Sequence, residues 1–359
     1  MRVVIVGGGV MGCATALALA GRGAEVVLLE RAVPGAEASS AAAGILGAQL
    51  EAREHPALLP LFVRARASYG AWADELRALT GIDVGHKVTG GLRVALRGGG
   101  ADGDAGQAME REVAWQRGEG LRAELVDGKG ARALEPGLTA DVFVGAHFPD
   151  EAQVDPPALL RALVAATTLR RSGGGRITMR AGTTVQRLLV EGDRCVGAQL
   201  EEGEERGDAV VLAAGSWSSL LPGVPSELPK VRPARGQMVL LDERPPALRT
   251  MVFGPGAYVV PRGDGRVLCG STLELVGYRR EVTAGGVHAI LDATLALAPS
   301  LASATLASTW SNFRPFVGER APLMGASPLP GLFLATGHHR NGILLAKVTA
   351  DTVAEAILG

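Results

Sequence analysis

The chain opens on an apolar run, Val3-Val4-Ile5-Val6, which breaks into glycines and resumes as an Ala- and Leu-rich stretch from Val10 to Ala20. Short continuous apolar runs predict buried parallel strands, and the longer one predicts a helix. A second run, Val26-Val27-Leu28-Leu29, completes a strand–helix–strand unit. Residues 56–80 carry apolar positions at helical spacing, with Phe62, Tyr69 and Trp72 among them, and stop at Gly81, which predicts a packed helix with a C-terminal glycine. Residues 89–96 alternate as a strand, 97–106 read as a Gly/Asp-rich surface loop, and 107–119 read as a polar helix. Asp155-Pro156-Pro157 supplies an N-cap and a proline start for a helix through Ala165. Strands are predicted at 183–190 and 196–200, around the turn Glu191-Gly192-Asp193-Arg194, and at 208–215, which ends in small residues. From Val231 to about Thr309 the alternation predicts antiparallel strands at 237–241, 257–261 and 266–271, with Arg262-Gly263-Asp264-Gly265 as a hairpin turn. A strand at 332–336 running into Gly337 and a helix at 346–358 follow.

Between the first strand and the first helix, Gly7, Gly9 and Gly12 form G-x-G-x-x-G, with Glu30 about 20 residues on, at the end of the second strand. This is the dinucleotide-binding arrangement. The first glycine permits the tight turn, the second lets backbone approach a pyrophosphate, the third lets helix pack on strand, and the acid accepts from a ribose hydroxyl. The helix N-terminus offers unpaired N–H groups to the anion. After Glu30, the loop Ala38-Ser39-Ser40-Ala41-Ala42-Ala43-Gly44-Ile45-Leu46-Gly47 is too poor in large side chains to form a core, so a ligand or another element must lie against its backbone. Ser39 and Ser40 are also suited to a helix cap.

Charge and cysteine usage narrow the partners. Lys+Arg 36 against Asp+Glu 37 leaves a net charge of −1 over 359 residues, which argues against nucleic acid or an anionic membrane as a partner. Cys13, Cys195 and Cys269 lie far apart with no C-x-x-C pair, so neither a disulfide framework nor a metal site is expected, and a reducing cytoplasm fits. The glycine-broken N-terminus does not read as an export signal, and no apolar run is long enough for a membrane span.

The ordered set of motifs resembles one family from the first residue to the last. Gly7 to Gly12, Glu30-Arg31, Ser39 to Ala48, Val210 to Gly215, Tyr258-Val259-Val260-Pro261-Arg262, Phe313-Arg314-Pro315 and Thr336 to Ala346 are similar to the D-amino acid oxidase superfamily of flavoproteins, in particular its glycine-oxidase branch of the thiamine pathway. The resemblance implies an α/β fold: a Rossmann-like FAD-binding domain of the glutathione-reductase type with an inserted antiparallel-sheet substrate domain. It divides the chain into FAD-binding segments at 1–85, 145–225 and 310–359 and substrate-binding segments at 86–144 and 226–309. It implies non-covalent FAD, because no cysteine follows Arg314-Pro315 where related sarcosine oxidases attach their flavin. Under it, Glu30, with Arg31 beside it, holds the adenosine ribose, Val10 and Met11 lie at the pyrophosphate, and Val185 contacts adenine. Ala38, Ser39, Ser40, Ala43, Gly44 and Ile45 line the flavin, and Ala214 and Gly215 offer unobstructed backbone. Gly337, His338, His339, Arg340, Asn341, Gly342, Ile343 and Leu344 wrap the isoalloxazine edge.

The implied chemistry is oxidation of glycine or another small amino acid or amine by hydride transfer from the α-carbon to flavin N5, imine hydrolysis, and reoxidation by O₂ with release of H₂O₂. Arg314 is the expected carboxylate anchor, because its guanidinium fork matches a carboxylate bidentately. Tyr258 is expected to donate to the same carboxylate, and Arg340 to lie near flavin and substrate. A dehydrogenase passing electrons to a quinone or a partner, a flavin subunit of a multi-subunit oxidase, and an NAD enzyme are the alternatives; a homo-oligomer is compatible with each. His339 and Lys347 stand where the branch has phenylalanine and proline, and are expected to alter the flavin's surroundings. Gly256 and Leu273 suggest a pocket for a substrate larger than glycine.

Overall fold

The computed structural model describes residues 1–52, 56–98, 102–169, 174–318 and 321–359. Strand β1 (Arg2–Val6), helix α1 (Val10–Gly21) and strand β2 (Glu25–Leu29) form the predicted unit. β1 sits inside a six-stranded sheet, between β2 and Ala209–Leu212, with Arg176–Arg180 beyond β2 and Leu332–Thr336 and Leu323–Ala326 beyond Ala209–Leu212. Pairing is parallel except at the Leu323–Ala326 edge. Its continuous apolar run follows from burial on both faces. Val3 and Ile5 pack with α1 and the last helix, whereas Val4 and Val6 pack toward Leu188 and Leu200 of a three-stranded sheet (Val185–Glu191, Arg194–Leu200, Glu204–Arg206).

An eight-stranded sheet forms the second layer, in the order Thr305–Phe316, Arg232–Asp242, Arg266–Gly270, Ala257–Pro261, Met251–Gly254, Gly91–Leu96, Val142–Phe148, Glu124–Asp127. Its neighbours are antiparallel, except that Met251–Gly254 runs parallel to Gly91–Leu96, so the sheet is mixed rather than wholly antiparallel. Two of its strands, Val142–Phe148 and Thr305–Phe316, span positions 145 and 310, so domain limits drawn there cut through strands. Arg262 N–H donates to the Arg266 carbonyl (2.8 Å) across the predicted hairpin turn.

Short helix α2 (Ala48–Ala52) is followed by α3 (Leu59–Thr80), which ends as expected on Gly81 in the left-handed conformation (φ 74°). Asp155 caps Pro156–Thr168 by accepting from Ala158 N–H (3.2 Å). Two elements differ from the sequence reading. The helix expected at 107–119 spans Asp102–Gly118 and takes over much of the expected loop, of which residues 99–101 lie outside the described residues. Met109 and Val113 bury against Ala146 and Phe148, and Asp104 falls in the first turn, where negative charge suits a helix start. The last helix is Gly342–Leu358, four residues longer than expected at its start. Ile343, Leu344 and Leu345 are buried there, and the Tyr69 hydroxyl donates to the Ile343 carbonyl, so packing outweighs the helix cost of Gly342.

Candidate active site

One cavity of about 420 Å³ runs from the Gly7 turn to the middle of the eight-stranded sheet. At the nucleotide end, Gly7 adopts φ +111° and stands so close to Ala213 that a Cβ would strike its backbone. A Cβ on Gly12 would strike the Gly7 carbonyl. Gly9 is the N-cap of α1 and has no side chain to satisfy the first amides, and no acid occupies the first turn. The Val10 N–H instead donates to Ser39 Oγ (3.0 Å), so Ser39 supplies the cap from a distant loop. Glu30 accepts from Gly8 N–H (2.8 Å) and Ala32 N–H (2.9 Å), which fixes its carboxylate beside the turn with acceptor positions left for a hydroxyl. Val185 lines the wall as the first residue of its strand. The Arg31 guanidinium lies 3.9 Å from the Trp217 ring centroid and pairs with Glu37 (2.8 Å).

The small-residue loop runs along the cavity and is pinned from behind. Trp310 Nε1 donates to the Ala41 carbonyl (3.0 Å). Arg262 donates to Gln153 Oε1 (2.6 Å), the Val154 carbonyl (2.7 Å) and the Ala43 carbonyl, and burial lowers its pKa to about 10. Gly44 (φ 73°) packs against the Val154 carbonyl where a Cβ has no room. Ala38, Ser39, Ala43, Gly44 and Ile45 therefore present mostly backbone to the ligand space, with Ala214 and Gly215 opposite.

The turn before the last helix closes this region. His338 is buried, its Nε2 lies 2.8 Å from Thr349 Oγ1, and its Nδ1 has no hydrogen-bond partner among the described residues. Burial lowers its pKa to about 3, so the ring is neutral. His339 takes a left-handed φ of 49° and packs on Phe316, with ring centroids 4.9 Å apart. Both line the cavity, as do Arg340, Asn341, Gly342 and Ile343.

At the far end, Arg314 donates to the Thr272 carbonyl (3.0 Å) and Ser271 Oγ (2.6 Å) and lies against Tyr258. Burial is the main cause of its lowered pKa. Its hydrogen-bond partners Thr272 and Ser271 are neutral, so the guanidinium is placed to take an anion. The Tyr258 hydroxyl lies 3.2 Å from Met238 Sδ, and Arg340 pairs with Glu51 (3.3 Å). Arg314, Tyr258 and Arg340 thus meet in one pocket, continuous with the nucleotide end.

Not every expected site residue reaches it. Gly12, Ser40, Gly337 and Leu344 stand outside the wall. Gly12 serves strand–helix packing, Ser40 bonds back to the Glu37 carbonyl, Gly337 abuts Val317, and Leu344 belongs to the core. Lys347 pairs with Asp351 (2.5 Å) one helical turn on and is not in the wall. Gly256 lies in an exposed turn and Leu273 is 59% exposed; neither shapes the pocket. Among the residues the sequence reading missed, Glu51 had no signal to mark it, and Gly236 and Gly270 were hidden among 50 glycines. A Cβ on Gly236 would overlap the Arg314 guanidinium, and one on Gly270 would come within 2.7 Å of the Tyr258 hydroxyl.

These features fit a flavin dinucleotide: a glycine turn at an uncharged helix start, an acid beside it, a backbone-lined middle and a cationic end. The profile of the FAD dependent oxidoreductase (DAO) family matches residues 2–356, and the chain belongs to that family. It is 36% identical to the bifunctional protein ThiO/ThiG of Nostoc sp. over 361 residues, covering 99% of this chain and 52% of that protein. The chain therefore spans about half the length of the first curated relatives it matches. It is also 36% identical to the glycine oxidase of Geobacillus kaustophilus, over 99% of this chain and 92% of that protein. The crystal structure of that oxidase superposes with a TM-score of 0.91 at 34% identity, over 99% of this chain and 94% of the other.

Proposed function

We propose that the protein oxidises glycine or a comparably small amino acid or amine, with O₂ as electron acceptor. The observation that carries this reading is the placement of Arg314 and Tyr258, a half-buried cation and a phenol, at the end of the cavity that begins at the Gly7 turn. Bound FAD supplies the two-electron acceptor for the substrate α-C–H bond and returns to its oxidised form with O₂, giving H₂O₂. Glu30, Ser39 and the α1 N-terminus hold the adenosine diphosphate end, and Val185 borders the adenine. Ala43, Gly44 and the turn His338–Gly342 bound the ring.

The chain's own task at the substrate end is orientation. Arg314 takes the carboxylate through its fork and Tyr258 donates to the same group, which leaves the α-carbon one bond away with little freedom. Asn312 and Met238 limit the room beside it. Neutral His338 adds no positive charge behind the ring. The imine product hydrolyses to the oxo acid and ammonia. An oxidase is favoured because the curated relatives at 36% identity include a protein named for that activity. Among the described residues no helix is long and apolar enough to cross a membrane, in keeping with a cytoplasmic enzyme acting on a free metabolite.

The test is peroxide release by the purified flavoprotein with glycine, sarcosine, D-alanine and D-proline in air, with ammonia from glycine or D-alanine, methylamine from sarcosine and the cyclic imine from D-proline as the nitrogen products. Equimolar peroxide and oxo acid from at least one is the expected result. Flavin reduction without peroxide would assign a dehydrogenase instead.

A further inference from the structure

We propose that Glu51 determines the specificity for amines, accepting a hydrogen bond from the substrate's amino group while Arg314 and Tyr258 take its carboxylate. This rests on the reading above and extends it to the group that tells an amino acid from a hydroxy acid.

Among the described residues, the acids along the cavity are Glu30, Glu37 and Glu51. Glu30 is committed to the Gly8 turn, and Glu37 bridges Arg31 and Arg280 at the rim. Only Glu51 of these faces the substrate end, where its Oε1 meets Arg340 (3.3 Å) and its charge acts on Arg314. It is buried, with 6% exposure. The charges explain what it is for. A substrate carboxylate is matched by Arg314, and an accompanying ammonium brings a positive charge of its own into the cavity. A buried ammonium needs an anion within bonding distance, and Glu51 is the carboxylate that Arg340 leaves only partly used. An amine-free carboxylate needs no such partner.

The helix that carries Glu51 is also held firmly. Gln49 N–H, at the start of α2, donates to Glu151 (2.5 Å), which pairs with Arg66 (3.0 Å) in the interior. Gln49 bonds Gln116 (2.9 Å) and accepts from Arg66 (2.9 Å). α2 is thereby fixed from its buried side, which sets the backbone position from which Glu51 enters the cavity.

The experiment compares wild type, Glu51→Gln and Glu51→Asp as holoproteins. It reads KM for the amine substrate and the inhibition constant of glycolate, which shares the carboxylate and lacks the amine. Glu51→Gln is expected to raise KM about tenfold or more, as for loss of a charged hydrogen bond, while glycolate binds within about twofold of wild type or tighter. Glu51→Asp is expected to fall between. Equal weakening of both ligands would show that Glu51 only positions Arg340 and would overturn the assignment, as would an unchanged KM. A wild type that oxidises no amine would instead overturn the functional reading, and this assignment with it.

Discussion

Arg314 and Tyr258 can occupy their places because two residues beside them have no side chain. Gly236 and Gly270 lie on neighbouring members of the eight-stranded sheet, and each gives up the volume a functional group then fills. Gly236→Ala should displace the guanidinium and lower kcat/KM about a hundredfold, as expected where a bidentate charged contact is lost, with flavin content unchanged. Steady-state kinetics beside an absorbance ratio for bound flavin decides it; unchanged kinetics would mean that Arg314 does not hold substrate. His338 carries a pH signature. Its folded pKa of about 3 lies below the ordinary value near 6.5, so the stability it contributes is present above pH 6.5 and is lost as pH falls toward 3. His338→Gln should flatten the fall in denaturant midpoint over that window. An identical slope in wild type and variant would show that the ring is not buried neutral.

At the scale of elements, the strand–helix–strand unit was legible because its signals are local: apolar runs of the right lengths, three glycines and an acid. Gly81, Asp155 and the 262–265 turn were legible for the same reason. The extra turns at Asp102 and Gly342 were not, since Gly and Asp spell loop until a neighbouring face buries the residues after them. The small-residue loop was read as one with a ligand or another element against its backbone, and Arg262 and Trp310 do lie against it, but that fastening was invisible, because Arg262 and Ala43 are joined only by folding. That fastening can be tested. Arg262→Met keeps the length and removes the donors, leaving the Ala43 and Val154 carbonyls without them. It should weaken flavin retention at least about tenfold, measured by dialysis against apoprotein titration, with the fold retained by circular dichroism. Equal retention would place the loop's stability elsewhere.

At the scale of the whole molecule, the two large sheets share one cavity, and the contacts that join them also build the site. Arg280 reaches across to Glu37 and lies over Phe313, and Tyr278 stacks on Trp217 and donates to the Ser216 carbonyl (2.5 Å). Family motifs legible in the sequence named the cofactor and the arginines. The partner of Arg340 was not legible, because Glu51 is one acid among many until the fold sets it opposite a guanidinium. Likewise Lys347, Gly256 and Leu273 drew attention by position alone, and the fold leaves all three outside the cavity wall. The central claim is that this cavity holds FAD and aligns a small amino acid against it through Arg314. It is tested most directly by mixing glycine or a small amine with purified wild type and Arg314→Ala holoprotein without oxygen and following the visible flavin band. The account predicts bleaching of the wild type by at least one such compound, and a rate at least about a hundredfold lower in the variant at the same concentration. Equal bleaching of both, or none in the wild type by any small amino acid or amine, would contradict it.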